Sequence, residues 1–282
     1  MFQPGLTSLV PQVSDDPQKA NGVSRVSQGL ATLAGPAMAG TLVAVVSPAS
    51  VFAVNAFTFV VSGLCLAALR LPHFTPDRTA STLQNLVAGW VEFRSRSWLW
   101  SVILIWWVLG VFVWGPITPV GAASVIEAHG KAAFGWVESA FGAGCVLGGL
   151  VAIRIKPVRP LYAGGIAMCL FPLVPLAAGL VPSVPVMMLG YGLSGIGWAY
   201  WGVQWATAVQ TQIPQDKLNR VAAYEIAGSI LAVPFGQAVA GPASSLVGVH
   251  ELLVLGAVIS LGCALALLAV RPVRQLALDE QP

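Results

Sequence analysis

Aromatic and amide side chains are grouped in one apolar segment, where they could form a binding surface for a small molecule. With about 100° between successive residues of a helix, Trp198, Trp201 and Trp205 share one face, and small residues from Gly195 onwards form another. Gln204 lies beside the tryptophans and needs a hydrogen-bond partner if it sits at membrane depth. One interpretation is a cavity for an amphipathic or aromatic solute. The other is that the tryptophans face lipid or anchor the segment at the membrane interface.

An earlier segment repeats the aromatic pattern. On the same helical geometry, Trp107, Gly110 and Trp114 lie within about 60° of one another. Pro116 and Pro119 follow them and interrupt the helical hydrogen bonding. The pattern predicts either a hinged gate in which Trp107 and Trp114 contact the substrate, or a pair of interface anchors.

Two carboxylates, Glu138 and Glu225, fall inside apolar segments. A charged carboxylate is costly within a membrane, and such residues commonly take part in proton relays. Both residues are therefore candidates for proton coupling. Both also lie near helix ends, where contact with water and the helix macrodipole would suit a structural role.

No pattern for covalent or metal chemistry is present. The histidines lie in predicted loops, and the cysteines lie in apolar segments without CxxC or Cys/His spacing: His73, His129, His250, Cys65, Cys145, Cys169 and Cys263. We therefore expect no enzymatic activity, no catalytic residue, no metal and no cofactor.

The elements that carry these residues are membrane-spanning helices. Hydrophobic residues make up 56% of the 282-residue chain and charged residues 9%, against about 25% charged in soluble domains. Mean hydropathy is +0.79. Runs of this length and composition favour helices over barrel strands. We predict an all-α polytopic protein with eight spans: 27–46, 50–69, 98–122, 133–153, 160–181, 184–211, 221–247 and 250–270.

The basic residues support this count. With eight spans, 13 of the 14 lysines and arginines fall on one side of the membrane, and Lys131 alone falls on the other. Short cytoplasmic loops collect basic residues, so we expect both termini to be cytoplasmic. The net charge of +3 then reflects orientation, and we expect no nucleic-acid partner.

Two segments are weakly similar to each other. Residues 10–40 and 213–241 each run from a Pro-Gln pair through a polar turn into a small-residue helix, and their prolines, Pro36 and Pro234, are 198 positions apart. That offset is close to six helices with their loops, which is typical of transporters built from two six-helix halves.

Residues 22–40 carry a motif that resembles one of a known protein family. Gly22, Gly35-Pro36 and Gly40 are spaced as in the antiporter motif of the fifth helix of the major facilitator superfamily, although alanine stands at positions 31 and 39 where the family has glycine. GAGCVLGGLVAIRIKPVRP also resembles the basic loop between the family's eighth and ninth helices. The branch is that of the enterobactin exporter and macrolide-efflux-like permeases. Gly35, Pro36 and Gly40 would form a helix bend or close crossing, which either limits leak or simply packs helices.

The resemblance covers the last two thirds of such a protein and implies a domain organisation. Residues 1–70 would hold the end of the fourth helix and helices five and six, 71–97 a cytoplasmic linker with an amphipathic helix, 98–271 a complete C-terminal six-helix half, and 272–282 a cytoplasmic tail. The first four helices would be missing or incomplete. The chain alone is then expected to insert in the membrane without transporting, and to self-associate through its exposed first-half helices.

The function implied is proton-coupled export of a small molecule across the bacterial plasma membrane, with a drug, siderophore or macrolide-like compound as substrate. The alternative is a truncated, non-transporting membrane protein or a scaffold that binds a partner helix.

The charge asymmetry makes a direct prediction about topology. In a variant with its native cysteines replaced by alanine, a cysteine at Lys131 should react with a membrane-impermeant maleimide in intact cells. A cysteine at Lys156 should react only after permeabilisation, because its loop carries the basic residues expected inside. Labelling of position 156 from outside would contradict the topology.

Overall fold

The computed structural model of the chain describes residues 2–45, 48–68 and 82–277. These residues are helical almost throughout and include no strand. The helices are α1 Phe2–Val13, α2 Pro17–Val45, α3 Pro48–Ala68, α4 Thr82–Ser95, α5 Ser97–Leu109, α6 Ala122–Arg154, α7 Pro160–Met168, α8 Leu173–Leu180, α9 Val184–Gln212, α10 Gln215–Ile230, α11 Ala232–Val247, α12 Val249–Ala269 and α13 Arg271–Arg274.

Over their described residues, seven of the eight predicted spans coincide with one helix or two consecutive helices, and 98–122 is formed by α5, two π-helical turns and the first residue of α6. The all-α prediction is therefore confirmed there. In the described part of the chain, the stretches long and apolar enough to cross a membrane are Ser97–Arg154, Pro160–Leu180, Lys217–Val247 and Val249–Ala269. The other predicted spans lie in α2, α3 and α9.

The longest of these stretches contains two predicted spans. It runs for 58 residues, nearly three times the roughly 20 residues that a single membrane span requires. Gly130 divides it, with φ 84° and ψ 167°, a conformation that residues other than glycine rarely adopt. Between α5 and α6 lie two π-helical turns, Gly110–Trp114 and Ile117–Gly121.

Close packing of α2 against α6 joins the first part of the chain to the rest. A Cβ atom at Gly29 would lie 2.8 Å from the backbone nitrogen of Val146, and a Cβ at Gly142 would lie 2.6 Å from that of Leu33. The two backbones approach so closely because small residues face each other. Ser139 Oγ also donates a hydrogen bond to the carbonyl of Leu33 at 3.2 Å.

Polar contacts fasten the beginning of α2 to the end of α6. Gln18 Nε2 donates to the carbonyls of Ala152 at 2.7 Å and Ile155 at 2.8 Å, which satisfies groups that a helix C-terminus leaves unpaired. Asp16 pairs with Lys156 at 2.5 Å. Burial of the Asp16 carboxyl tends to raise its pKa, but the hydrogen bonds from Lys156 and the backbone of Lys19, with the charges of both lysines, lower the pKa below its ordinary value.

α4 lies within the predicted linker 71–97, where an amphipathic helix is expected, while residues 71–81 of that linker lie outside the described residues. An ion pair joins α4 to α10. Glu92 accepts hydrogen bonds from Arg96 at 2.7 Å and Lys217 at 2.9 Å. The bonds from Lys217 and Arg96 hold the pKa of Glu92 below its ordinary value.

Gly35 of the proline motif lies outside the contact between α2 and α6. α2 continues through Pro36 to Val45, and a Cβ built on Gly35 would meet no atom of the described chain within 4 Å. The close approach to α6 lies earlier on α2, at Gly29, and the helix bend or close crossing at Gly35, Pro36 and Gly40 stays a prediction. The surroundings of the third motif residue, Gly40, lie outside the described side chains.

The α2–α6 crossing predicts opposite outcomes for matched glycine substitutions. Gly29→Ala and Gly142→Ala should each lower the free energy of unfolding by up to about 2 kcal/mol, since overpacking costs about 1–3 kcal/mol and alanine regains about 1 kcal/mol of helix propensity. Gly35→Ala should raise it by about 0.5–1 kcal/mol. Unfolding of the detergent-solubilised chain in sodium dodecyl sulfate, followed by circular dichroism, measures the difference. Equal effects of all three would contradict the crossing.

Candidate functional site

A continuous series of aromatic rings lies between α5 and α9. We call it the aromatic column; in spatial order its members are Trp98, Trp205, Trp201, Trp106, Trp198, Trp114 and Phe171. Successive ring centroids are 4.9–6.0 Å apart, within the range of favourable aromatic pairs. Trp201 and Trp205 stack with 15° between their planes, and Trp106 and Trp198 with 6°.

Four of the predicted aromatic residues belong to this column, and one does not. Trp114, Trp198, Trp201 and Trp205 are in it, whereas Trp107 is 43% exposed and contacts Phe235 at 6.1 Å. Trp106 takes the place predicted for Trp107. The π-helical turn at Gly110–Trp114 explains the difference, because a π turn holds more residues than an α turn and shifts the face on which Trp114 lies.

The column is not uniformly accessible. Trp201 is only 2% exposed and belongs to the hydrophobic core, together with Trp98. Trp198 and Trp205 are half-buried. In this structure the inner rings therefore support the outer ones, and Trp205 is the member that reaches a pocket.

Gln204 lies behind the tryptophans rather than beside the pocket. It is completely buried, and its Cβ would be 3.4 Å from a Cβ built on Gly164 of α7. Neither Oε1 nor Nε2 has a hydrogen-bond partner in the described chain. An unpaired buried amide costs about 1–3 kcal/mol, so this residue is held at an energetic disadvantage.

A polar pocket of about 240 Å³ lies where α1, α2, α9 and α10 meet. Its polar side chains come mainly from one stripe of α2, at the spacing of a helix face. Opposite them stand residues of α9 and α10. The lining includes Asn21, Ser24, Arg25, Gln28, Gly202, Trp205, Gln210 and Glu225.

Glu225 and Arg25 are the charged groups among the described residues that line this pocket. Trp205 Nε1 donates a hydrogen bond to Glu225 Oε1 at 2.8 Å. The guanidinium of Arg25 lies against Gly202, where a Cβ would be 2.6 Å from Nη2 and 2.7 Å from Cζ and Nε. A larger residue at position 202 would require the guanidinium to move. Arg25 Nη1 donates to Gln28 Oε1 at 3.2 Å.

A second polar contact connects α2 with α9. Asn21 Nδ2 donates to Gln210 Oε1 at 2.7 Å and to Thr207 Oγ1 at 3.3 Å. These buried groups satisfy one another, so the polar stripe of α2 can pack against α9 without a large desolvation cost.

The two predicted carboxylates have different surroundings. Glu225 lines the pocket, as described above. Glu138 is half-buried on α6, does not line that pocket, and has no hydrogen bond or ion pair within the described chain. The structure thus brings Glu225 together with Trp205, and leaves Glu138 apart from both.

Sequence reasoning missed Arg25, Asn21, Gln28 and Trp106. Arg25 was counted among the loop charges, although α2 begins at Pro17 and Arg25 is two turns inside it. The signal was present: Asn21, Ser24, Arg25 and Gln28 follow helical spacing. In the described residues, no group of three or more potential metal ligands is found.

Comparison with known proteins gives concordant matches. A family model described as Major Facilitator Superfamily matches residues 1–224. The multidrug efflux pump Tap of Mycobacterium tuberculosis (strain ATCC 25618 / H37Rv) is 26% identical over 242 residues, covering 82% of this chain and 57% of Tap. Macrolide efflux protein A of Streptococcus pyogenes is 24% identical over 291 residues, covering 97% of this chain and 70% of that protein. An uncharacterized MFS-type transporter, YfiS of Bacillus subtilis (strain 168), is 26% identical, covering 82% and 58%. The chain thus spans less than two thirds of Tap.

Proposed function

The chain belongs to the Major Facilitator Superfamily, and we propose that it supplies the solute-binding and proton-coupling groups of an exporter of amphipathic small molecules. It is an all-α, multi-pass membrane protein of the cell membrane. Two of its relatives are named as a multidrug efflux pump and a macrolide efflux protein. Their names support export as the activity and leave the substrate of this chain to be identified.

The observation that carries the proposal is the bond between Trp205 and Glu225 at the wall of the polar pocket. The same indole presents its ring to the pocket and its N–H to the carboxylate. A solute that stacks on Trp205 therefore lies next to Glu225, so that occupancy of the pocket and protonation of the carboxylate influence each other. This is the coupling that exchange of a solute for a proton requires.

The remaining candidate residues take supporting roles in the proposal. Trp205 contacts the solute, while Trp114, Trp198 and Trp201 support it from within the aromatic column. Gln204 is a buried amide without a hydrogen-bond partner in the described chain, and it supports the column from behind. Glu225 is the proton-coupling residue, and Glu138 is the second candidate for that role.

The alternative function is a membrane protein that binds a partner helix and transports nothing. Such a scaffold needs no pocket lined with Arg25, Trp205 and Glu225. Solute binding therefore separates the two functions, and it can be measured on the purified chain without any transport.

We expect the detergent-solubilised chain to bind rhodamine 6G, an amphipathic aromatic dye, with a dissociation constant measurable by fluorescence anisotropy. Trp205→Ala should weaken binding about tenfold, because one aromatic stacking contact contributes about 0.5–1.5 kcal/mol beyond its buried area. The matched control is Trp107→Ala, which removes a tryptophan outside the aromatic column and should change the constant by less than about twofold.

Circular dichroism and size-exclusion profiles of both variants should match those of the unsubstituted chain. If Trp107→Ala weakens binding as much as Trp205→Ala, the dye binds elsewhere and the proposed site is wrong. If the unsubstituted chain binds none of rhodamine 6G, ethidium and the macrolide erythromycin, the scaffold function is favoured.

A further inference from the structure

Helix α4 turns apolar side chains away from the protein. On the side facing α10, Phe93 is buried and Glu92 pairs with Arg96, which precedes α5, and with Lys217 of α10. The outer side carries Val87 and Val91, which are 54% and 62% exposed. An apolar face turned away from the protein is expected of a helix that lies in the membrane interface.

A groove of about 410 Å³ opens where this outer face meets the start of α5. Its lining residues are Trp90, Phe93, Arg94 and Trp100. Trp90 is held from behind, since its ring is 5.7 Å from Phe93 and 5.6 Å from Tyr224. It is nevertheless 47% exposed, and Trp100 is 40% exposed. Two indoles thus flank one arginine.

Arg94 is the group in the groove that could bind an anion. It is exposed and has no bonded carboxylate in the described part of the chain, because Glu92 points to the other side and is used by Arg96 and Lys217. Guanidinium groups bind phosphate through two parallel hydrogen bonds. The charge of the groove therefore matches an anionic phosphate.

An apolar track leads from the groove along α5. Leu104 and Val108 follow Trp100 at intervals of four residues, on one helix face, and all are exposed. The track begins at the groove and runs in the direction of the predicted span. A ligand with a phosphate at one end and a long hydrocarbon chain at the other fits both parts.

We propose that this groove binds an anionic phospholipid of the cytoplasmic leaflet. The phosphate is held by Arg94 between the indoles of Trp90 and Trp100, which suit the headgroup level of a bilayer. An acyl chain lies along α5 over Leu104 and Val108. The site is separate from the polar pocket and does not depend on the proposed export.

The test uses the purified 282-residue chain and native mass spectrometry with two lipids of identical acyl chains, dioleoylphosphatidylglycerol and dioleoylphosphatidylcholine. The chain should bind phosphatidylglycerol about tenfold more tightly, because both lipids carry the phosphate but in phosphatidylcholine the cationic choline competes with Arg94 for it and is repelled by the guanidinium. Arg94→Gln should reduce this preference to within about twofold. Arg159→Gln, which removes an exposed arginine outside the groove, should leave it unchanged.

Several results would overturn the proposal. Equal binding of the two lipids, or an equal loss in Arg94→Gln and Arg159→Gln, would show that no local headgroup site exists. Displacement of phosphatidylglycerol by millimolar glycerol 3-phosphate would assign the groove to a soluble anion. A dimer that forms without lipid and dissociates in Trp90→Ala would assign it to a second copy of the chain. Persistence of the lipid preference in glycerol 3-phosphate, with a monomer throughout, supports it.

Discussion

The close approach of α2 to α6 is the constraint on which the rest of the structure depends. Backbone nitrogens of Leu33 and Val146 lie where side chains of residues 142 and 29 would otherwise project. Lipid gives helices no hydrophobic reason to associate, so the contact depends on this fit and on hydrogen bonds. Gln18 and the Asp16–Lys156 pair hold the start of α2 against the end of α6. With α2 held there, its polar stripe faces α9 and α10.

That placement gives the polar pocket its chemistry. Arg25 lies on the backbone at Gly202, and Asn21 is bonded to Gln210, so α2 and α9 share polar groups that neither could bury alone. On the other wall of the pocket, the hydrogen bond from Trp205 holds Glu225 in place. The aromatic column fixes Trp205 in turn, because Trp98 contacts it edge-on and Trp201 stacks against it. In the proposed function, occupancy of this pocket controls the proton on Glu225.

Much of the fold could be predicted from the sequence, because long uncharged runs in a membrane protein are helices and because the tryptophans of α9 keep helical register. Trp107 was misplaced because the π-helical turn after it cannot be read from apolar periodicity. Arg25 was assigned to a loop, since charge counting treats each arginine as a surface group. The contact of Gly29 with α6 could not be predicted, because a sequence motif names small residues without saying which of them a neighbouring helix reaches.

Proton release on solute binding measures whether the polar pocket and Glu225 are coupled. Rhodamine 6G is added to the detergent-solubilised chain in weak buffer, and a pH indicator follows the solution between about pH 5 and about pH 9, where buried carboxyl groups titrate. We expect binding of the cationic dye to release protons, Glu225→Gln to bind dye without releasing them, and Glu138→Gln to behave like the unsubstituted chain. Dye binding with no proton release at any pH, or release that persists in Glu225→Gln, would show that the pocket and Glu225 are not coupled.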